Sequence, residues 1–426
     1  MQEAFLHFVW QFQYFSKKAL QTTSGEDLMI IKPGLLNGHA GPDFQNAKVR
    51  ITDLEWAGMV EIHVAATEWY THNHHQDDAY ENVILHVVWE ADRKVMRRDG
   101  SEIPTLELKN RVDPALMANY KNLINNLEDV PCAPQFSKVS KLTVHGMLDR
   151  TLSGRLERKA AEVQKLVEEN KGDWEEATYQ LLARYFGFKV NNEPFARLAR
   201  SVPYKTILKH RDQIVQVEAL LFGQAGFLDA IGRGDYPDML KREYKMLANK
   251  YGLSDFKLAA SQWKFLRLRP ANFPTVRLAQ FCVLIASRAG TFSRLMEADV
   301  DGIKQIFSIK QSEYWLSHYH FGTRSKTKVA ALGSASIDIL CINSVAPLLV
   351  AYGKFKDDQS YVDRAVALLH SIPSESNKVV KRWKAIGYSS TDAFDSQALL
   401  ELYEGFCGHR KCLSCKVGTS LLKPTR

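Results

Sequence analysis

The chain has 426 residues, 45% hydrophobic and 24% charged, with a formal net charge of +8 and no low-complexity run. That is the composition of a globular protein with room for two or three cores, and it excludes a disordered or collagen-like chain. The opening MQEAFLHFVWQF carries an acid ahead of its apolar positions and lacks the basic lead of a signal peptide. The most apolar stretch, Ile339 to Tyr352, contains Asn343, Ser344 and Pro347 and falls short of a membrane span, so a soluble cytoplasmic protein is expected.

Residues 3–15, EAFLHFVWQFQYF, read as an amphipathic helix. The runs LMIIKPG, AKVRI, VEIHV, NVILHVVWEA and TLELKN follow, β-branched and bounded by Gly, Asn, Asp and Pro, which is the grammar of strands. Prolines 131 and 134 break the pattern and set a boundary near residue 137. Beyond it, SGRLERKAAEVQKLVEEN, WEEATYQLLARYFGF, DMLKREYKMLANKYG, TVRLAQFCVLIASRAG and SYVDRAVALLHSI carry apolar residues at helical spacing. The expected fold is an α+β domain over 1–137, with a mixed sheet and a flanking helix, followed by a mostly α-helical region over 138–426. Charge follows the same division. Residues 1–137 hold 12 Lys and Arg against 19 Asp and Glu, net −7, and the remainder is net +15. An acidic front suits a site that gathers cations. A basic back suits a polyanion, although a solvated helical surface would read the same way.

Residues 41–63, GPDFQNAKVRITDLEWAGMVEIH, carry the chemistry. Strand alternation sends Glu61 and His63 to one face and Val60, Ile62 and Val64 to the other. A hairpin turning around Trp56-Ala57-Gly58 would bring Asp43 beside them, giving two oxygen donors for Mg or Mn with an imidazole alongside.

This arrangement resembles the PD-(D/E)XK nuclease superfamily, in which a Pro-Asp at a strand start precedes an acid-x-Lys strand in an αβββαβ core. Pro42-Asp43 and Glu61-Ile62-His63 match except at the last position, where His63 stands for Lys. The resemblance implies metal-dependent phosphodiester hydrolysis of DNA or RNA, with Asp43 and Glu61 on the metal and His63 as base, donor or ligand. It further implies an acid from the first helix, for which Glu3 is the candidate; a carboxylate complementing the helix dipole is the other reading. The chain also resembles a bacterial family known only as a domain of unknown function, through GPDF, VEIH, WYTHNHHQDDAYENVILHVVWEAD and RKCLSCKVG.

Six of the thirteen histidines fall between positions 39 and 86. His72 and His74 share a face if extended, with Asp77 in reach. The set would suit Zn, Mn or Fe, or belong to a polar loop. His86 lies in an apolar strand, either as a core residue or as a second base or ligand facing the cavity of Glu61. Glu107 and Lys109 form a second acid-x-Lys pair as a fallback.

At the carboxyl end, Cys407, Cys412 and Cys415 with His409 have the spacing of metal ligands. Zinc would use all four. An iron–sulfur cluster would need a further cysteine, Cys132 or Cys341, and reduced structural thiols are the remaining reading. In the helical region Lys264, Arg267, Arg269 and Arg277 interleave with Trp263, Phe265 and Phe273, while Arg324, Lys326 and Lys328 follow, together a nucleic-acid surface in the making. The leading expectation is therefore a metal-dependent nuclease. A non-catalytic nucleic-acid-binding factor, or a metal hydrolase of a small substrate built on His72, His74 and Asp77, are the alternatives.

Overall fold

The β-branched runs of the first 110 residues pair into one mixed sheet, because each is too short and too apolar to stay solvated alone. The computed structural model describes residues 2–229, 231–287 and 290–423. In order, the first elements are α1 (Glu3–Gln11), β1 (Leu28–Lys32), β2 (Leu35–Leu36), β3 (Phe44–Ile51), β4 (Leu54–Ala65), α2 (Glu68–Thr71), β5 (Val83–Glu90), β6 (Thr105–Glu107) and α3 (Pro114–Ile124). The sheet runs β1-β3-β4-β5-β6, with β2 pairing β3. β1, β3 and β4 are antiparallel, whereas β5 and β6 join parallel to β4. All five strand runs read from the sequence are strands, and the first helix ends at Gln11, four residues early, just ahead of Gln13 at φ 56°.

The hairpin differs from expectation in its turn. β3 and β4 pair from Ile51↔Leu54, so the loop is Thr52-Asp53, and Trp56, Ala57 and Gly58 lie inside β4. Gly58 has a different use: a Cβ there would stand 2.5 Å from Ile84 Cγ2 and 2.6 Å from Asn82 O, so glycine lets the start of β5 approach β4.

By its contacts the chain divides into two units. The first comprises residues 1–147, 385–387 and 402–426, and the second 148–384 and 388–401. The expected division at residue 137 leaves the chain end with the helical region, whereas the chain end falls in the first unit and packs on α1 and α3. In the first unit Phe5, Leu6, Val9 and Trp10 of α1 are buried, as are Phe44, Val60, Ile62, Leu85, Val87 and Leu106 of the sheet. Ala66, Trp69, Val83, Val88, Val95 and Ile103 form a second apolar cluster.

The second unit is helical, as its 3.6-residue periodicity requires. It includes most of α4 (Lys141–Glu169), then α5 (Trp174–Phe186), α6 (Phe188–Ser201), α7 (Tyr204–Leu208), α8 (Ile214–Gln224), α9 (Asp235–Tyr251) and α10 (Pro274–Ser287). A two-stranded ribbon, β7 (His318–His320) and β8 (Thr323–Arg324), interrupts them. The apolar stretch around residues 339–352 belongs to a 23-residue helix, Ser334–Lys356, with a π turn at Cys341–Val345. It is long and apolar enough to cross a membrane, yet 61% of its apolar window is buried inside the protein, the behaviour of a core helix.

Candidate active site

Asp43 immediately precedes β3, and a β-bulge decides where it points. Phe44 pairs with Val60 but Ala47 with Gly58, so three steps along β3 match two along β4, and Asn46 takes up the extra residue at φ 56°. A ladder without the bulge would set Asp43 opposite Ile62. With it, the register continues to Glu61, the other face. Two reciprocal bonds lock the pair: the Asp43 amide donates to Glu61 Oε2 at 3.0 Å, and the Ile62 amide donates to Asp43 Oδ2 at 3.0 Å.

Helix α1 adds to this pair. His7 Nε2 lies 3.1 Å from Asp43 Oδ2, and Glu3, His7 and Asp43 form one potential ligand group with donor atoms within 4.8 Å of one another. Glu3 is half-buried beside Asp43 rather than an exposed end-of-helix carboxylate. His7 is a residue the sequence reading missed. Its signal was the four-residue spacing from Glu3, which puts both on one helix face.

A second group consists of His63, His72 and His74, again within 4.8 Å. His72 and His74 are not extended. They flank Asn73, which is left-handed at φ 60° between α2 and a 3₁₀ turn, and this bend turns both rings toward β4. Glu61 links the two groups, its Oε1 lying 3.2 Å from His74 Nε2 and 3.6 Å from His63 Nε2. His63 Nε2 meets His72 Nδ1 at 3.2 Å, and His63 Nδ1 meets His86 Nε2 at 2.8 Å, so His86 does face the cavity of Glu61. Tyr80, also unforeseen, stacks on His74 at 3.8 Å.

Burial governs the electrostatics. It raises Glu61 and Glu3 above the usual carboxylate range, with the Asp43 charge adding to both. Burial also holds His63 down at about 3, helped by the neighbouring imidazoles His74, His72 and His7, and pushes His86 well below the ordinary value. His63 is therefore neutral at physiological pH and does not supply the fixed cation of a lysine. His7 behaves oppositely: burial disfavours its charge, but the Asp43 carboxylate beside it outweighs burial and raises it. Burial likewise pushes the Tyr80 phenol up to about 12, followed by the charges of Glu61 and Asp43.

These features fit a divalent cation. Three carboxylates are crowded at a cost that a cation would relieve. His86 Nδ1 is buried without a hydrogen bond among the described residues, while His7 Nε2 and His74 Nε2 face only the Asp43 and Glu61 carboxylates. Glu3, Asp43 and Glu61 supply hard oxygens suited to Mg or Mn, and the His63, His72 and His74 imidazoles suit Zn, Mn or Fe. A metal-bound His63 Nε2 would leave Nδ1–H to donate to His86, a common arrangement around metal-ligating histidines.

Other predicted residues have structural employment. Asp77 is exposed and caps a 3₁₀ turn, accepting from the Ala79 amide at 2.9 Å. Glu107 accepts from the Ala91 amide and Lys109 pairs with Glu90 on the surface. Arg277 is buried, with its guanidinium donating to Gln280 Oε1, Asn272 Oδ1 and Ser336 Oγ and lying over the Phe188 ring, so it is not a surface phosphate contact. Trp263 is core, donating to Ala225 O. Lys264, Arg267, Arg269, Arg324 and Lys326 are exposed. Asn191 clamps the Lys264 backbone through both amide atoms, and the Phe265 ring lies 5.3 Å from His320, so this basic loop and the β7–β8 ribbon are neighbours. His409 is exposed, whereas Cys407, Cys412 and Cys415 are buried.

No curated protein and no solved structure matches the chain. A family described as protein of unknown function (DUF2851) matches residues 3–378, a span that holds the whole carboxylate–histidine site and ends before the cysteine-rich segment. The chain belongs to the DUF2851 family.

Proposed function

We propose that the protein is a metal-dependent phosphodiesterase acting on nucleic acid. One observation carries the reading: Asp43 and Glu61 are locked side by side by reciprocal amide–carboxylate bonds, with Glu3 of the first helix in the same cluster. Acids from the first helix, a strand start and the adjacent strand are the set that the nuclease resemblance implies. Asp43, Glu61 and Glu3 would hold Mg or Mn, which supplies Lewis acidity toward the phosphate and a nucleophilic water near neutral pH. His7, whose protonated form the Asp43 carboxylate favours, is available as a donor to a phosphate oxygen. His63 is neutral and serves as a ligand or as part of the His72–His63–His86 hydrogen-bonded chain, moving a proton between ring nitrogens rather than anchoring charge. The exposed Lys264, Arg267, Arg269, Arg324 and Lys326 are the residues for the nucleic-acid backbone.

The experiment is cleavage of labelled single- and double-stranded DNA and RNA by the purified protein with Mg, Mn or EDTA, beside Asp43→Ala and Glu61→Ala. Metal-dependent cleavage lost in both variants is expected, and cleavage that survives in either would reject the site. Binding without turnover in every metal would instead favour a binding factor.

The all-imidazole group of His63, His72 and His74 favours a second reading, a zinc or iron hydrolase of a small substrate. It no longer draws on Asp77, and it requires tight Zn or Fe in this group and indifference to nucleic acid.

A further inference from the structure

Four cysteines remain outside the proposed active site but inside the same unit. Cys132, Cys407, Cys412 and Cys415 are each 7–8% exposed. They come from distant parts of the chain, and hydrogen bonds show how the two parts meet. The Arg410 guanidinium, midway along the Cys407–Cys415 loop, donates to Asn126 O, and Asn126 Nδ2 donates to Pro131 O at 2.7 Å, next to Cys132. Asn119 Nδ2 reaches Leu422 O, and the Lys416 amide reaches Met147 Sδ.

The local backbone folds the segment that carries the three terminal cysteines into consecutive tight turns. Arg410 is left-handed at φ 54°, the Cys412 amide donates to Arg410 O at 2.8 Å and the Cys415 amide to Cys412 O at 3.2 Å. Gly418 is required by the fold back: a Cβ there would lie 2.3 Å from Cys412 O. The three other candidate ligands drop out. Cys341 and Cys282 lie in the second unit, and His409 is exposed.

We infer that Cys132, Cys407, Cys412 and Cys415 form a four-thiolate metal site that fastens the chain end onto the sheet-containing unit. Tetrathiolate sets take either a zinc ion or an iron–sulfur cluster, and C-x4-C-x2-C contains the short chelating loop both use. Electrostatics agree. The Cys407 thiol is raised by burial first and then by Cys132, Cys415 and Cys412, while burial pushes Cys132 up to about 12, with Cys415 and Cys412 next. Four thiols that feel one another's charge in a buried place are costly as thiolates until a cation compensates them. The terminal segment consists of single turns and one short helix, Lys416–Leu422, a small structure of the kind that metals commonly staple. The same segment packs on α1, which bears Glu3 and His7. The inference stands independently of the phosphodiesterase reading.

The test uses the full chain purified without oxygen. Zinc, iron and acid-labile sulfide are assayed, and X-ray absorption at the metal found reads its first shell. Zinc in a sulfur-only shell, or iron with labile sulfide and a sulfur shell, is expected; a cation held at the carboxylate site would show oxygen and nitrogen instead. Cys132→Ser and Cys412→Ser should lower the sulfur-bound metal at least tenfold, while Cys341→Ser and His409→Ala keep it. The wild-type first shell decides the matter even where a serine variant fails to fold. A wild-type protein with no sulfur-bound metal after reconstitution with zinc, or with iron and sulfide, would overturn the site. So would a disulfide among the four, or retention in Cys132→Ser with loss in Cys341→Ser.

Discussion

Asn46 sits at φ 56° within the bulge that turns Asp43 toward Glu61, and replacing it sets two energies against each other. A β-branched residue in the left-handed region costs about 1–2 kcal/mol relative to an ordinary conformation, which asparagine and glycine largely avoid. Abandoning the bulge would relieve that strain but break the bonds from the Asp43 amide to Glu61 Oε2 and from the Ile62 amide to Asp43 Oδ2, both 3.0 Å. Hydrogen bonds to charged groups contribute about 1.5–3 kcal/mol each, so the locks outweigh the strain. Asn46→Val should therefore keep the bulge and lose about 1–2 kcal/mol of local stability, whereas Asn46→Gly should stay near wild type. Deleting Asn46 removes the extra residue itself and leaves a regular ladder in which Asp43 still falls opposite Glu61. Hydrogen–deuterium exchange of the β3–β4 amides, the Ile62 amide above all, reads the opening free energy, and calorimetric titration with Mn reads the site. Faster exchange in the valine variant with Mn affinity preserved, and Mn affinity preserved in the deletion with the sheet retained, are the expected results. Unchanged protection in the valine variant, or Mn binding lost in a deletion variant that keeps its sheet, would refute the role given to the bulge.

Two further outcomes concern the helical unit. Glu218 is fully buried, accepting from Ser312 Oγ at 2.6 Å and Tyr236 Oη at 2.8 Å, and burial raises it from 4.5 to about 7 despite both bonds. Between those two values the unfolded chain has lost its proton and the native chain has kept it, so stability falls as pH rises through the window and levels off above it, by roughly 3 kcal/mol in all. Glu218→Gln should flatten that slope in thermal unfolding followed across pH, and an unchanged slope would show that Glu218 does not titrate in this window. Arg277→Ala should destabilise the unit by about 2–4 kcal/mol, because Asn272, Gln280 and Ser336 lose their buried donor, while leaving the salt dependence of nucleic-acid binding unaltered. Arg267→Ala should do the reverse, and filter binding against salt beside thermal unfolding would expose a swap of the two roles.

What could be read from the chain and what could not follow from the range of the interactions involved. The strands from LMIIK to TLE, the first helix apart from its last four expected residues, and the long helices from Lys141 onward are local matters of residue type and period, and they stand where the sequence puts them. Asp43, Glu61 and His63 were legible as a candidate site because strand alternation is short-range, and His72 and His74 because they crowd one segment. The turn was misread at Trp56-Ala57-Gly58 because a glycine in a strand looks like a turn until β5 is seen to need the space. Arg277 was misread because a basic residue beside aromatics carries no sign of whether the helix turns it outward or into the core.

The sequence by itself thus determined the element types, the acidic front and basic back, and the kinds of ligand available. Only the tertiary structure decided that Asp43 shares a face with Glu61, that His7 and Glu3 join them, that His63 is too buried to carry charge, and that Cys132 shares a unit with the cysteines of the chain end. Each of these depends on a bulge, a burial or a contact between residues far apart in the chain, and such free energies come from packing and desolvation, which no local pattern of residues contains.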